Sequence, residues 1–325
     1  VGRVFAAEEE KVEVLILSEV AVSVGEKVVR SGKVLTIKVG EWLLGKVIDP
    51  LGRVVYGEAG TIEGEERAVD IEPLKIYERG LVTDPLETGV AVVDLIVPLG
   101  KGQRQLVVGE RKTGKTELLL RTILTQAKQG TVCIYCAVGK KAVDVKEAID
   151  FFTKEGILSA MVVVATTAAQ ATGMEFTAPY TAMTIAEYFQ QSGKDVLLVY
   201  DDLVTHAKYY REISLMARRF PGRSAYPGDI FYVHAKLMER AGKFRKGSIT
   251  ALSNADTTSG DLSGYIQTNL MSMTDGHVFF DRELAALGRK PAVNPFLSVT
   301  RVGQQAQTAL VRDFSRQLSA FLVDY

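Results

Sequence analysis

Residues 109–116 constrain this chain more than any other stretch, because they follow the pattern G-x-x-x-x-G-K-T. An apolar run, 106–108, precedes the pattern, and a helical run, 115–128, follows it. Strand, glycine-rich loop and helix in this order form the context in which the pattern binds phosphate. The two glycines permit a tight turn with inward-facing N–H groups, and the helix adds the positive end of its dipole. The segment therefore predicts a nucleotide-binding site.

The predicted nucleotide-binding residues lie in this loop and at the ends of two later strands. They are Gly109, Glu110, Arg111, Lys112, Thr113, Gly114, Lys115, Thr116, Lys140 and Asp201. Lys115 can reach the β- and γ-phosphates, and the Thr116 hydroxyl can take a place on Mg²⁺. Asp201 ends an apolar run, 196–200, and is the second predicted Mg²⁺ residue, acting directly or through a water.

Hydrolysis also requires a group that orients the attacking water. We expect this group at the end of the strand beside the phosphate-loop strand, where the sequence reads Val138-Gly139-Lys140-Lys141. An ammonium near bound phosphate stays protonated and cannot orient water as a carboxylate does, although it can strengthen nucleotide retention. Lys140 therefore favours binding over turnover.

Apolar strands alternate with amphipathic helices from residue 103 onward, which predicts an α/β fold with a mostly parallel sheet covered by helices on both faces. The predicted strands are 104–108, 131–138, 160–166, 196–201, 248–253 and 276–280. The predicted helices are 115–128, 142–154, 179–192 and 205–217. We divide the chain into a small β unit (1–38), a nucleotide-binding domain (39–305) and the start of a helical domain (306–325).

The balance of charged residues argues against nucleic acid as a partner. Lys+Arg and Asp+Glu both number 39, so no whole-protein basic field exists to hold nucleic acid. No apolar run approaches the roughly 18 residues of a membrane span. The N-terminus carries no initiating Met or signal-peptide pattern, so we expect a processed or partial chain.

The cysteines and histidines are predicted to be structural. Cys133 and Cys136 spell C-x-x-C inside a predicted buried strand, where residues three apart point to opposite faces. His206, His234 and His277 are scattered along the sequence without ligand spacing.

Several further stretches, in the same order along the chain, resemble the alpha subunits of the rotary F-type ATP synthases. They read PLGKGQR at 98–104, IYCAVG at 134–139, YDDL at 200–203, PGRSAYPGD at 221–229, NLMSMTDG at 269–276 and SVTRVG at 298–303. The resemblance runs from about residue 40 to 310. It implies a RecA-like P-loop NTPase domain after an N-terminal β-barrel, and a C-terminal helical domain of which only the start is present here.

The same resemblance implies ATP and Mg²⁺ as cofactors and an alternating hexameric ring with beta-type catalytic subunits. It further implies a gamma-type central stalk and a peripheral-stalk subunit as partners, without nucleic acid. The ring would lie peripherally on an energy-coupling membrane, facing the bacterial cytoplasm, the mitochondrial matrix or the chloroplast stroma, with membrane contact only through the rest of the complex.

In that family the catalytic beta subunit has Glu after the second strand and alpha has Gln, whereas this chain has Lys140. The resemblance thus implies a largely non-catalytic subunit of the H⁺/Na⁺-transporting two-sector ATPase. It assigns Arg301 as an arginine finger reaching the catalytic site of the adjacent beta subunit, and Ser263 to the same interface.

Three alternatives remain open. A catalytically competent homohexamer of the flagellar or type III export kind would need Glu where Lys140 stands. A hexameric RNA helicase would need a basic, aromatic-rich strand face near the N-terminus, where residues 1–38 contain only Phe5 as an aromatic. A purely structural subunit would not need the intact Lys115 and Thr116.

Overall fold

The computed structural model describes residues 1–18, 22–58, 61–258 and 260–324, and predictions that fall on 19–21, 59–60, 259 and 325 lie outside the described residues. The strands are β1 (Gly2–Ala7), β2 (Val12–Ile16), β3 (Thr36–Val39), β4 (Val47–Ile48), β5 (Val54–Tyr56), β6 (Glu65–Ala68), β7 (Pro85–Leu86), β8 (Leu99–Gly100), β9 (Arg104–Gly109), β10 (Val132–Lys140), β11 (Met161–Thr167), β12 (Asp195–Asp201), β13 (Gly242–Lys243), β14 (Ser248–Asp256), β15 (Gly276–Phe280) and β16 (Val299–Thr300). The α-helices are α1 (Ala91–Ile96), α2 (Lys115–Lys128), α3 (Ala142–Lys154), α4 (Thr172–Gln191), α5 (Leu203–Met216), α6 (Ile230–Met238), α7 (Tyr265–Met273), α8 (Arg282–Ala286), α9 (Gly303–Ala306) and α10 (Ala309–Asp324).

One large sheet organises the chain, with the strand order β16-β15-β9-β14-β12-β10-β11-β4-β5 and β13 paired to β14. The six strands from β15 to β11 pair in parallel, and antiparallel strands lie at both edges of the sheet. All six predicted strands from residue 104 onward are present, and the prediction of a mostly parallel sheet is confirmed. The phosphate loop follows β9, the third strand from one edge, at the carboxyl ends of the parallel strands, where such sheets bind ligands.

The strand order corrects one prediction. Strand β10, which ends in Lys140, does not lie beside β9, because β14 and β12 stand between them. The neighbours of β9 are β14 and β15, so the strand end beside the phosphate loop carries Asp256. Order along the chain does not give order across a sheet when the connections are crossover helices.

The core forms two layers, one on each face of the sheet. On β10, Ile134, Cys136 and Val138 pack with buried residues of α4 and α5. Cys133 and Tyr135 on the same strand pack with buried residues of α2 and α3. The two cysteines are therefore free, buried and on opposite faces, as predicted, and burial raises the pKa of both thiols.

Helix α4 is longer than predicted. It begins at Thr172 rather than at 179, so Pro179 lies inside it. A proline in a helix interior costs about 3 kcal/mol, because it removes one hydrogen bond and crowds the preceding turn. The helix continues through it because nearly every side chain from Gly173 to Gln190 is buried. Tertiary burial here outweighs the local preference.

The ends of the chain flank the large sheet. Strands β1 and β2 form a hairpin, and β3 pairs with β6, joining residues on both sides of the predicted boundary at 38/39. At the other end α10 follows a short helix, α9. No helix in the described ranges is both long and apolar enough to cross a membrane.

Candidate nucleotide-binding site

The phosphate loop connects β9 to α2 through a backbone that only glycine fits at two points. A side chain at Gly109 would place its Cβ 2.4 Å from the carbonyl oxygen of Phe280, which is far inside contact distance. Gly114 has φ +101° and precedes the first turn of α2, a left-handed conformation that glycine adopts without strain. The loop predicted from the pattern is therefore built as a strand-to-helix turn.

Lys115 is tied to the loop that it follows. Its side chain is 5% exposed, and its Nζ donates to the carbonyl oxygen of Gly109 at 2.9 Å and to that of Glu110. The same ammonium lies 3.1 Å from Asp256 Oδ1. The Lys115 ammonium is therefore positioned to bind an anion, but in this structure it is paired with the Asp256 carboxylate.

Asp256 was missed by the sequence reasoning. It ends β14, pairs in register with Gly109 on β9, and also accepts from Arg111 Nε at 2.8 Å. Burial raises its pKa, but Lys115 and Arg111 outweigh burial and leave the pKa below its ordinary value. The available signal was its place shortly after the predicted strand 248–253, but this strand mixes polar with apolar residues, unlike the apolar run that precedes Asp201.

Other residues of the phosphate loop lie near the Lys115–Asp256 ion pair. Glu110 accepts at its carbonyl from Thr113 Oγ1 at 2.7 Å, and its carboxylate lies 3.4 Å from Arg282. Lys112 is exposed with φ +64°, as befits a tight turn.

Asp201 is 1% exposed at its side chain and accepts from three donors. Tyr135 donates its hydroxyl to Oδ2 at 2.7 Å, and Asn254 donates Nδ2 to Oδ1 at 2.6 Å. The ammonium of Lys140 lies 2.9 Å from Oδ1. Lys140 thus reaches the site from β10 although its strand is not the neighbour of β9.

Lys140 is held as a cation. Burial lowers its pKa, but the charges of Asp201, Asp202 and Asp256 and the hydrogen bond to Asp201 outweigh burial and raise the pKa above its ordinary value. Asp202 caps α5 by accepting from the Val204 N–H at 2.7 Å. Burial, followed by the neighbouring carboxylates Asp256 and Asp201, raises the Asp202 pKa to about 6.

A cavity of about 670 Å³ opens over these groups, and we call it the nucleotide cavity. It is lined by Arg111, Lys112, Gly114, Lys115, Thr116, Glu117, Val138, Gly139, Lys140, Lys141, Asp144, Asp202, Thr205, Asn254 and Asp256. Asp201 is not among the lining residues. Its contacts to Lys140 and Asn254, which do line the cavity, place it behind the cavity wall.

The cavity wall combines phosphate-loop residues with the ammonium groups of Lys115 and Lys140, which are groups that can bind phosphate oxygens. No group of three or more His, Cys, Asp or Glu side chains in the described ranges is arranged to hold a metal. Thr116 is exposed on the cavity wall, so its hydroxyl fits the predicted Mg²⁺ contact. Asp201 fits that contact only if Lys140 moves or a water intervenes.

Arg301 and Ser263 lie outside the cavity wall. Arg301 directly follows β16 at an edge of the sheet; it is exposed, and its N–H donates to the carbonyl oxygen of Asp275 at 2.9 Å. Ser263 is exposed just before α7, where its N–H donates to Asp261 Oδ1 at 2.7 Å. Neither residue contributes to the nucleotide cavity of this chain.

Two of the histidines, scattered in the sequence, meet in the structure. His206 Nδ1 lies 3.0 Å from His234 Nε2, and His206 Nε2 lies 3.0 Å from the Phe176 carbonyl oxygen. Since that carbonyl can only accept, His206 carries its proton on Nε2, and His234 must donate from its own Nε2. Burial lowers the pKa of His206 to about 4 and lowers that of His234 well below its ordinary value.

Glu175 is buried directly behind the cavity wall. Thr166 Oγ1 accepts from the Gly139 N–H at 3.1 Å and contacts both the Ala137 carbonyl oxygen and the Glu175 carboxyl group. One hydroxyl proton cannot serve two acceptors, and the conflict disappears if Glu175 is protonated and donates to Thr166. Burial raises the Glu175 pKa to about 7, which agrees with this assignment.

Glu175 should make stability depend on pH. Its pKa is raised in the folded state, so its contribution is complete below the unfolded value near 4.5 and is lost as pH rises through about 7. The Glu175→Gln variant keeps the shape of the side chain but cannot ionise. When the pH rises from 5.5 to 8, its free energy of unfolding should therefore fall by about 2 kcal/mol less than that of the natural chain. Urea unfolding at both pH values measures this difference. Glu147→Gln, at an exposed position of α3, is the control, and equal pH slopes for all three chains would contradict the prediction.

Comparison with known proteins agrees with this geometry. The model of the ATP synthase alpha/beta family nucleotide-binding domain matches residues 89–300. ATP synthase subunit alpha of Clostridium acetobutylicum is 44% identical over 317 residues, covering 96% of this chain. That of Clostridium botulinum (strain Eklund 17B / Type B) is 42% identical over 316 residues, also 96% of the chain. ATP synthase subunit alpha 2 of Nitrosospira multiformis is 43% identical over 322 residues, 98% of the chain.

The chain spans 63% of the length of each of these relatives. The matched region contains the phosphate loop, the paired strand ends and the edge strand β16. On this evidence, the chain belongs to the ATP synthase alpha/beta family.

Proposed function

We propose that this chain is an alpha-type ring subunit of a rotary ATP synthase, which binds ATP and turns it over negligibly. The observation that carries the proposal is Lys140, whose ammonium stands on the cavity wall where the resemblance gives Glu to catalytic subunits. The relatives named ATP synthase subunit alpha support the assignment to the alpha type.

Nucleotide binding would use the phosphate loop as the structure presents it. Backbone N–H groups of residues 109–116 and the N-terminus of α2 would hold the phosphates, and Lys115 would exchange Asp256 for phosphate oxygens. Mg²⁺, when bound, would neutralise phosphate charge from beside the Thr116 hydroxyl. Lys140 would add a further positive charge to the wall.

The proposed partners are those that the family resemblance implies, and the position of Arg301 supports the contact with a beta-type subunit. Arg301 is exposed at the sheet edge and away from this chain's own cavity, as an arginine finger for a neighbouring beta-type subunit must be. A guanidinium there could contact two phosphoryl oxygens and spread charge over the transferring group. Ser263 would line the same interface. The complete ring would also contact a gamma-type central stalk and a peripheral stalk.

The wider setting is likewise a proposal. The ring would lie peripherally on an energy-coupling membrane, and other subunits would couple proton or sodium flow to ATP synthesis or hydrolysis. An export-type homohexamer would be catalytically competent on its own, so turnover by the purified chain separates it from the alpha-type reading.

The purified chain should bind ATP without vigorous hydrolysis. Lys115→Ala should weaken ATP binding about tenfold or more, since it removes the cation that reaches the phosphates. Calorimetric titration measures affinity, and phosphate release measures turnover. Lys128→Ala, at the far end of α2, is the matched control. Rapid multiple turnover of ATP by the natural chain alone would contradict the non-catalytic proposal.

Neutralising Asp256 should tighten nucleotide binding. Asp256→Asn keeps the side-chain shape but removes a negative charge paired with Lys115 and Arg111. These two cations then become available to phosphate, and we expect the ATP Kd to fall about three- to tenfold. Asp261→Asn, at an exposed loop position, controls for charge in general. Weaker binding by Asp256→Asn would show instead that the carboxylate assists the ligand.

Arg301→Ala should act only in an assembled ring. With beta-type subunits present, multi-site ATP turnover should fall about 10³-fold or more, the usual range for an arginine finger. ATP affinity of the isolated variant should stay unchanged, because Arg301 lies outside its own cavity. Arg316→Ala on α10 is the control. Normal turnover by rings that carry Arg301→Ala would exclude the finger.

A further inference from the structure

The Lys140–Asp201 ion pair has a chemical consequence beyond weak turnover. In phosphate-loop sites the carboxylate at this strand end is available to Mg²⁺ or to its water. Here the Asp201 carboxylate accepts from Tyr135, Asn254 and Lys140 at 2.6–2.9 Å. Since a carboxylate offers about four lone-pair sites, three are already used by this chain.

The backbone directs Lys140 toward Asp201. The register between β10 and β11 shifts between Ala137 and Lys140, and such an irregularity re-aims a side chain at a strand end. Gly139 has φ +59° within this shift, and its N–H is held by Thr166. The Lys140 ammonium is therefore placed by the strand end that carries it.

Charge and access both oppose a close metal contact at Asp201. Lys140 lines the nucleotide cavity while Asp201 does not, so a cation entering the cavity meets the ammonium first. A divalent ion approaching the same carboxylate would be repelled by a fixed positive charge only a few ångströms away. The negative charge of Asp201, which would attract the metal, is already balanced by the Lys140 ammonium.

We infer that the Lys140 ammonium is the built-in counter-cation of this site, so that ATP affinity depends only weakly on Mg²⁺. This inference rests on the proposed nucleotide binding and specifies how the same site is charged. Without bound ligand, Lys140 neutralises Asp201. With nucleotide bound, the same ammonium also faces the phosphate oxygens and supplies charge that the metal supplies elsewhere.

The test is a calorimetric titration of the whole chain with ATP, once in excess MgCl₂ and once in EDTA. The measured quantity is the ratio of the Kd in EDTA to the Kd in Mg²⁺. We expect a ratio within about threefold of unity for the natural chain and about tenfold or more for Lys140→Gln. Lys140→Arg keeps the charge and should keep the low ratio.

Lys146→Gln, at an exposed position of α3 outside the nucleotide cavity, is the matched control and should leave the ratio unchanged. If Lys140→Gln fails to fold, the natural chain still decides: a ratio of about ten or more overturns the inference. Equal ratios for the natural chain and Lys140→Gln overturn it as well, while leaving nucleotide binding intact. Absence of ATP binding in both buffers overturns the proposed function and, with it, the inference.

Discussion

The hydrogen-bonded register of four parallel strands is the constraint on which the site depends. In that register Asp256 on β14 lies opposite Gly109 on β9, and Asp201 on β12 lies opposite Ala137 on β10. Strands that run in parallel end at one edge, so groups distant in the sequence are brought together there. A slip of one residue in any of these pairings would turn a carboxylate to the other face of the sheet.

The register brings together charges that balance one another. Lys115 pairs with Asp256, and Lys140 pairs with Asp201. An unpaired charge would be costly where the side chains are so little exposed. Each charge therefore makes the burial of its partner possible. In the proposed nucleotide complex, Lys115 exchanges Asp256 for phosphate oxygens. The Lys140–Asp201 pair is shorter, 2.9 Å against 3.1 Å for Lys115–Asp256, and two neutral donors also hold Asp201 in place.

The two-layer core explains why the strand ends are rigid enough to hold this arrangement. Strand β10 alternates its side chains between a layer under α4 and α5 and a layer under α2 and α3. Helix α4 is buried along almost its whole length and carries Glu175 against the back of the cavity wall. The end of β10 is thereby fixed from behind, and Lys140 with it.

The sequence alone determined the phosphate loop, the succession of strands and helices, and the opposite orientations of Cys133 and Cys136, because these follow from local periodicity and glycine chemistry. It also identified Lys140 and Asp201 as strand-end residues. Only the tertiary structure decided which strand lies beside β9, because crossover connections allow several orders across a sheet. For the same reason it alone revealed Asp256 beside Lys115, the contact of His206 with His234, and the placement of Asp201 behind Lys140. The helical extension through Pro179 likewise depends on burial, which no local pattern encodes.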